Sequence, residues 1–335
     1  MPTELPLFLG ADGGQSHSLA ILADHEGRVL GVGRAGSCNH FNEPGGPERF
    51  RAALTQIISG AFAQAGRPLQ PLASACFGLT GAWDHAPAVV RAILPVERLV
   101  AVEDTVTAQA GAFAAGPGIV LIAGTGSVAY GKAERGKIGR AGGWGYLMGD
   151  EGSGYDIGLQ ALRAAAQAYD GRGPATLLVD HIPAHFGLPN LEAVQEAVYA
   201  GRLNRAEIAG LARLTARLAG APENDPVARV IFDRAGEALA VTVLAVAKQL
   251  DGSSLPVSPV GGVFKAGALI LDPFSRHLRG RLPQTMIQPP RYPQVVGALL
   301  LALQEAGYPL DQPLFERLDR AVVEFNLADS EGLRD

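Results

Sequence analysis

The sequence is poor in cysteine and has no cluster of positive charge. Its two cysteines, Cys38 and Cys76, stand far apart among 335 residues, so they form neither a disulfide framework nor a zinc-ligand spacing. The net charge is −5 and the Lys and Arg residues are scattered, whereas binding nucleic acid requires a basic face that neutralises phosphates. The composition therefore predicts no nucleic-acid partner.

Long apolar runs and the common nucleotide-binding signatures are also missing. No apolar segment approaches the roughly 20 residues that span a membrane, and no charged and then apolar leader opens the chain. We therefore expect a cytoplasmic protein with no membrane partner. The chain lacks a GxxxxGKS/T P-loop, and no GxGxxG lies between a first strand and a helix, so any phosphate cradle is of another kind.

What the chain does contain is a pattern of short elements that occurs twice. Its composition, 47% hydrophobic and 18% charged, is that of a globular protein, and its length suits two domains. In each half a buried strand leads into a glycine turn and two further strands, with starts roughly 110 residues apart. The predicted strands are residues 7–11, 19–23, 29–32, 73–79, 99–102, 118–123, 128–132, 137–140 and 257–260. We expect the first three to form an antiparallel meander.

Helical periodicity and end signals predict the remaining elements. The predicted helices are residues 47–65, 86–94, a helix from Asp104, and residues 155–168, 191–200, 205–218, 225–250 and 294–306. Asp225 as N-cap followed by Pro226 gives a strong start signal. We predict a first domain of residues 1–115, a second of residues 116–293, and a closing helix, 294–306, that packs back on the first. The tail after Tyr308 receives no element.

Two of the predicted strands end in glycine turns, which we call the first glycine turn (Asp12-Gly13-Gly14) and the second glycine turn (Gly124-Thr125-Gly126-Ser127). Glycine has no Cβ to keep a phosphate away from the backbone, and it accepts positive φ. Either turn alone is compatible with an ordinary hairpin. Because both occupy the same place in the repeated pattern, we interpret them as a clamp on nucleotide phosphates across an interlobe cleft.

Asp104 follows the strand at 99–102 and begins a helix. One interpretation is structural, since an N-cap side chain accepts hydrogen bonds from backbone N–H groups. The other is catalytic, since a carboxylate in this position can orient an attacking hydroxyl and accept its proton. The two roles could coexist through different oxygens, and Glu103 is the neighbouring alternative.

A glycine-dense segment, residues 142–154, carries Trp144 and the acidic residues Asp150 and Glu151. An aromatic ring together with carboxylate acceptors suits a carbohydrate, through stacking and hydrogen bonds to its hydroxyls. The alternative is a structural loop in which Trp144 fills the core.

Together these motifs resemble the actin-like ATPase and sugar kinase superfamily. Within it the chain resembles the BadF/BadG/BcrA/BcrD-type ATPases, and specifically their N-acetylglucosamine kinase members, over residues 7–306. The motifs that carry the resemblance are Asp12-Gly13-Gly14, Ser37-Cys38-Asn39-His40, Glu103-Asp104, Gly124-Thr125-Gly126-Ser127 and the GGWGYLMGDEGS string from Gly142. The resemblance implies an α/β fold of two ribonuclease H-like lobes, each a mixed sheet flanked by helices, with a cleft between them.

The resemblance also implies an activity and a set of site residues. It implies an ATP-dependent kinase for a hydroxyl of an amino sugar, by family the 6-OH, with ATP and Mg²⁺ as cofactors and a homodimeric assembly. Asp104 would be the general base, and Asp12 would hold Mg²⁺ through water. The implied ATP ligands are Gly13, Gly14, Ser16, Gly124, Thr125, Gly126, Ser127, Gly261 and Gly262, the last two in an adenosine pocket of the second lobe. The implied sugar ligands are Asn39, Asp104, Thr125, Gly143, Trp144 and Asp150.

Several alternatives stay open on the sequence. Residues 80–85 read TGAWDH where N-acetylglucosamine kinases carry Gly-Gly-Asp-Gln, so glucosamine, N-acetylglucosamine and N-acetylmuramic acid all remain candidate substrates. An ATPase that activates a reductase or dehydratase needs cluster cysteines near residues 150–154, where the chain has none. A transcriptional regulator needs a DNA-binding module before Leu7, which only six residues precede. A non-catalytic sugar sensor would not need Asp12 and Asp104 together.

Overall fold

The computed structural model describes residues 5–14, 17–38, 41, 43–251 and 255–327. The chain forms two compact units, the first made of the residues up to Pro117 and those from Pro290 onward, the second of Gly118–Pro289. The elements in chain order are β1 (Leu7–Gly13), β2 (His17–Asp24), β3 (Val29–Gly36), α1 (Gly46–Gln64), β4 (Leu72–Leu79), α2 (Ala86–Ile93), β5 (Val96–Glu103), α3 (Asp104–Ala112), β6 (Gly118–Ala123), β7 (Ser127–Lys132), β8 (Ile138–Gly142), α4 (Gly154–Tyr169), α5 (Leu178–His185), α6 (Leu191–Tyr199), α7 (Arg205–Ala219), α8 (Pro226–Gln249), β9 (Val257–Val260), α9 (Ala268–Arg279), α10 (Gln294–Glu305) and α11 (Gln312–Glu324). Single 3-10 turns lie at Trp83–His85 and Gly262–Ala266.

The sheet of the first unit has the strand order β3-β2-β1-β4-β5. β1, β2 and β3 form the predicted antiparallel meander, and β4 and β5 run parallel to β1. Side chains alternate across a strand, so Leu7, Leu9 and Ala11 of β1 pack with α1 and α2, whereas Phe8 packs with α10 and α11. Helices thus cover both faces of the sheet, which explains why β1 reads as one continuous apolar run.

The second unit repeats this arrangement with four strands in the order β8-β7-β6-β9. β6, β7 and β8 form a second antiparallel meander, and β9 is parallel to β6. Ile119 and Leu121 of β6 lie in one apolar core with helices α4, α7, α8 and α9. The α/β class, the mixed sheets flanked by helices and the repeated meander are therefore confirmed. Within the described ranges, no helix is long and apolar enough to cross a membrane.

Three helices, α5, α9 and α11, were not predicted from the sequence. α5 and α9 contain Pro183 and Pro273, and a proline inside a helix normally breaks it. Both prolines are buried, so core packing outweighs the lost backbone hydrogen bond. α11 has a readable start that the sequence analysis missed, because Asp311 caps it and Pro313 follows in its first turn.

The start of α8 depends on Asp225, which is the N-cap as predicted and is 2% exposed. Its Oδ1 accepts hydrogen bonds from the backbone N–H groups of Val227 and Ala228, at 2.8 and 3.1 Å. Its Oδ2 accepts from the Thr176 hydroxyl and the Leu177 N–H, both at 2.7 Å. Burial alone would raise the pKa of Asp225, but these hydrogen bonds outweigh it and hold the pKa below its usual value.

Replacing Asp225 by alanine should therefore cost more than the loss of an ordinary helix cap. We expect Asp225→Ala to lower the free energy of unfolding by about 2 kcal/mol or more, because four hydrogen bonds are lost at a buried site. Asn190→Ala is the matched control, since Asn190 caps α6 through one bond to Ala193 N–H, and it should cost about 1 kcal/mol or less. Urea denaturation measures both.

The same comparison has a pH dependence of defined sign. A carboxyl group whose pKa is lowered by folding contributes its full stability above the unfolded pKa and loses it as the pH falls through the folded value. The difference in unfolding free energy between wild type and Asp225→Ala should thus shrink below about pH 4. This account of α8 is wrong if Asp225→Ala and Asn190→Ala lower the free energy of unfolding equally. It is also wrong if the difference between wild type and Asp225→Ala does not change with pH.

Candidate active site

Three parallel strands of the first unit end beside one another. The last paired row of β1, β4 and β5 is Gly13, Leu79 and Glu103. The residues that follow this row, Gly14, Thr80 and Asp104, are therefore neighbours at the carboxyl edge of the sheet. Open α/β sheets bind their ligands outside this edge.

Hydrogen bonds connect these neighbours. The Thr80 N–H donates to the carbonyl oxygen of Gly13 at 2.9 Å, and the Thr80 hydroxyl donates to Asp104 Oδ2 at 2.6 Å. Helix α3 begins at Asp104 itself, and Glu103, in the N-cap position, makes no side-chain cap bond. The interpretation of Asp104 as a helix cap is therefore wrong. Its carboxylate accepts a hydrogen bond from the Thr80 side chain instead.

Asp12, the last residue but one of β1, is a buried carboxylate, 7% exposed. The side-chain amide of Gln294 lies 3.0 and 3.1 Å from its two oxygens and, with the amide nitrogen facing them, donates to both. Burial raises the pKa of the nearby Cys38 thiol, and the carboxylates of Asp12 and Asp104 raise it further. Two carboxylates thus act on one small region of the first unit.

This concentration of negative charge fits Mg²⁺ better than it fits a metal held by protein alone. Among the residues that the structure describes, no group of three His, Cys, Asp or Glu side chains is placed to hold a metal ion. Mg²⁺ typically takes one or two carboxylates and completes its octahedron with water and substrate phosphates. A carboxylate such as Asp12 is the type of protein ligand that Mg²⁺ takes in sites of that kind.

The second glycine turn joins β6 to β7 in the second unit. The Gly124 N–H donates to the carbonyl oxygen of Gly126 at 2.9 Å and closes the turn. The first N–H groups of α4, at Gly154 and Tyr155, donate to the carbonyl oxygens of Gly124 and Thr125 at 2.8 and 3.3 Å. These two backbone hydrogen bonds from the start of α4 therefore hold the turn in place.

The side chain of Asp150 also holds this turn in place. It is 3% exposed and has a left-handed backbone with φ of 62°. Its Oδ1 accepts from the Ser127 N–H at 3.1 Å, and its Oδ2 accepts from the Arg205 guanidinium at 2.6 Å. Arg205 also lies over the ring of Tyr146, 5.3 Å from its centroid. Both oxygens of this predicted sugar ligand thus have protein partners.

In each glycine turn one glycine is required by packing, and the other has room for a Cβ atom. A Cβ on Gly13 would lie 2.4 Å from Cys38 Sγ, and a Cβ on Gly126 would lie 2.8 and 2.9 Å from the Asp150 oxygens. A Cβ on Gly14 would make only ordinary contacts, and one on Gly124 would meet nothing within 4 Å. The open glycines, Gly14 and Gly124, are therefore the positions where an anion can approach the backbone.

The loop between β8 and α4 presents apolar side chains to solvent. Trp144 is 70% exposed and Leu147 is 83% exposed, so the alternative in which Trp144 fills the core is wrong. The Gly143 N–H donates to the carbonyl oxygen of Ser127 at 2.9 Å, which sets the loop beside the second glycine turn. Trp144 is thereby available to stack on a ligand.

The turn after β9 lies next to the turn after β6, because Ile122 and Val260 pair near the ends of these parallel strands. Gly261 and Gly262 follow β9, and the 3-10 turn Gly262–Ala266 leads to a cavity of about 620 Å³. The cavity is lined by small apolar residues and by charged groups, among them Ala266, Leu269, Arg229, Asp233 and Asp272. Its volume is in the range of small-molecule pockets.

Two predicted ligands, Ser16 and Asn39, lie outside the described residues. Three residues of the site, Thr80, Gln294 and Arg205, were missed by the sequence analysis. Thr80 had a readable signal, since it is a polar residue directly after a strand parallel to β1. Arg205 and Gln294 begin helices far along the chain, and nothing local indicates what they contact.

Two mixed sheets, each with a glycine turn after the first strand of a meander, define the fold of the actin-like ATPases and sugar kinases. A glucokinase of the ROK family from Streptomyces griseus shares this fold, with a TM-score of 0.52, 20% identity and coverage of 90% of this chain and 99% of that one. A structure from Chromobacterium violaceum, provisionally described as an N-acetylglucosamine kinase, has a TM-score of 0.73 and 30% identity over 90% of this chain and 99% of its own.

The model of the BadF/BadG/BcrA/BcrD ATPase family matches residues 9–302, and the chain belongs to that family. Among characterised relatives, the N-acetylmuramic acid/N-acetylglucosamine kinase of Clostridium acetobutylicum is 29% identical over 307 residues. That alignment covers 89% of this chain and 98% of the relative.

The different surroundings of Gly124 and Gly126 can be tested by stability. Gly126→Ala should lower the free energy of unfolding by about 2 kcal/mol, because the new methyl group overpacks an Asp150 carboxylate that Arg205 and Ser127 hold in place. Gly124→Ala is the matched control and should change it by no more than about 1 kcal/mol in either direction. Thermal unfolding measures both variants. If the two variants lose similar amounts of unfolding free energy, the packing described for the second glycine turn is wrong.

Proposed function

We propose that this protein is an ATP-dependent kinase that transfers the γ-phosphoryl group of ATP to a hydroxyl of an amino sugar, by family the 6-OH. The observation that carries the proposal is Asp104, whose carboxylate stands at the edge of the sheet next to the first glycine turn. The names of the relatives from Clostridium acetobutylicum and Chromobacterium violaceum support the amino-sugar class.

Asp104 is the general base in this proposal. The sugar hydroxyl oxygen attacks the γ-phosphorus, the bond from that phosphorus to the bridging oxygen breaks, and ADP leaves. The hydroxyl proton passes to the Asp104 carboxylate. Because phosphoryl transfer depends mostly on positioning and charge stabilisation, the main task of Asp104 is to fix the direction of attack.

The nucleotide is held by both glycine turns. The first unit contributes Gly13, Gly14 and Ser16, and the second contributes the turn 124–127. Asp12 would hold Mg²⁺, which neutralises charge on the phosphates. Gly261 and Gly262 border the adenosine pocket, and the cavity beyond the 3-10 turn Gly262–Ala266 has room for a base.

The sugar site in this proposal is formed by Asn39, Asp104, Thr125, Gly143, Trp144 and Asp150. Trp144 supplies the stacking surface, which its exposure supports. Asp150 acts on the sugar through the loop that it holds, since Ser127 and Arg205 engage its oxygens. Glucosamine, N-acetylglucosamine and N-acetylmuramic acid are the candidate substrates. A cytoplasmic homodimer and the use of both units as catalytic lobes remain predictions.

The cysteines do not favour an iron–sulfur activator of a reductase or dehydratase. Cys38 and Cys76 are both buried in the first unit, and burial raises the pKa of Cys76 to about 12. A cysteine holds an iron–sulfur cluster as its thiolate, and burial disfavours the charged thiolate form of both cysteines.

The kinase proposal can be tested by ADP release with a panel of hexoses and amino sugars. We expect at least one amino sugar to stimulate ADP release by the wild-type protein, in a reaction that EDTA abolishes. Asp104→Asn should lower kcat by about 100-fold or more, the usual range for loss of a general base. Glu103→Gln is the control and should keep most of the activity. If no sugar stimulates turnover, or if Asp104→Asn stays fully active, the proposal is wrong.

The role of Trp144 can be tested with the best sugar from the panel. Trp144→Ala should raise KM for the sugar by about tenfold, since a stacked aromatic contact is worth roughly 1.5 kcal/mol. Leu147→Ala, an exposed apolar change in the same loop, is the control and should leave KM within about twofold. Equal KM values for Trp144→Ala and Leu147→Ala would contradict the assignment of Trp144 to the sugar site.

A further inference from the structure

We infer that Thr80 is a positioning residue for Asp104 and that it ties the general base to the first glycine turn. The inference rests on the proposed kinase function and adds a residue to its machinery. Thr80 uses two different groups for this purpose. Its backbone N–H binds the carbonyl oxygen of Gly13 at 2.9 Å, and its hydroxyl binds Asp104 Oδ2 at 2.6 Å.

The direction of the second hydrogen bond follows from its partners. An ionised carboxylate only accepts hydrogen bonds, so the Thr80 hydroxyl must be the donor. Its length, 2.6 Å, lies in the range of hydrogen bonds from a hydroxyl to a charged oxygen. With Oδ2 engaged in this way, Oδ1 of Asp104 is the oxygen that accepts the proton of the sugar hydroxyl.

The position of Thr80 in the sheet makes this link rigid. Leu79, the residue before it, pairs with Gly13 on one side and with Glu103 on the other. Thr80 therefore stands between the glycine turn and Asp104 in the next row. Its hydroxyl also lies beside Gly14, since a Cβ built on Gly14 would be 3.9 Å from Thr80 Oγ1.

A threonine suits this role better than a serine. Its branched Cβ restricts rotation about χ1, so the hydroxyl keeps its direction at a smaller cost in side-chain entropy. Valine has the same shape and the same stiffness but no donor. Thr80→Val thus removes the hydrogen bond with little change in packing, and Thr80→Ser keeps the donor on a looser side chain.

The test measures kcat and KM by ADP release for wild type, Thr80→Val, Thr80→Ser and the matched control Thr55→Val. Thr55 is exposed on α1, and its hydroxyl donates to the carbonyl oxygen of Arg51 in the same helix. We expect Thr80→Val to lower kcat by about 10- to 100-fold, the range for losing a hydrogen bond to a charged group. KM for ATP and for the sugar should stay within about twofold, Thr80→Ser should recover most of kcat, and Thr55→Val should match wild type.

A double variant separates positioning from a merely structural role. If Thr80 acts through Asp104, adding Thr80→Val to Asp104→Asn should lower the residual kcat by less than about twofold, because the two residues work as a unit. If Thr80→Val lowers kcat as much in the Asp104→Asn variant as it does in wild type, the inference is wrong. It is also wrong if Thr80→Val keeps the wild-type kcat, or if Thr80→Ser is as slow as Thr80→Val.

These outcomes differ from failure of the proposed function itself. If wild type shows no sugar-dependent ADP release, the kinase proposal is rejected. If wild type is active and Asp104→Asn is inactive, the kinase proposal stands and the Thr80 variants alone decide the inference. Thermal unfolding of Thr80→Val is measured alongside, and a kcat loss that tracks a loss of folded protein counts against the positioning role.

Discussion

The parallel pairing of β1 with β4 and of β4 with β5 is the constraint on which the first half of the candidate site depends. Its register brings Gly13, Leu79 and Glu103 into one row, although they are far apart in sequence. The next row then holds a glycine, a hydroxyl and a carboxylate. A slip of one residue would turn every side chain of a strand to the opposite face of the sheet. The burial of both faces by helices prevents such a slip.

An ion pair between the buried Asp150 and the partly exposed Arg205 has the corresponding role in the second unit. Asp150 adopts a left-handed backbone and receives hydrogen bonds from Ser127 and Arg205, directly under Gly126. Without Arg205, the buried Asp150 carboxylate would lose its charged partner, which is costly for a charge inside the protein. The second glycine turn is thus held by this ion pair together with the start of α4, whereas the first is held mainly by strand pairing and by Thr80.

Despite this difference, both glycine turns combine one crowded glycine with one uncrowded glycine. In each, one glycine is needed because protein atoms crowd it, and the other has room for a Cβ atom. Sequence alone led us to treat all of these glycines as phosphate contacts. The structure separates them, because the atoms that crowd Gly13 and Gly126 belong to Cys38 and Asp150, which lie far from them along the chain.

The sequence by itself determined the strands, most helices, the repeated meander and the family, because hydrophobic periodicity, end caps and glycine motifs are local signals. It also indicated Asp104, but it left open whether that side chain caps a helix, and it left open whether Trp144 is buried. Only the tertiary structure decided these points, and only it revealed Thr80, Gln294 and Arg205 as partners. Such contacts depend on register and on helix packing between distant segments, and no local pattern of residues encodes them.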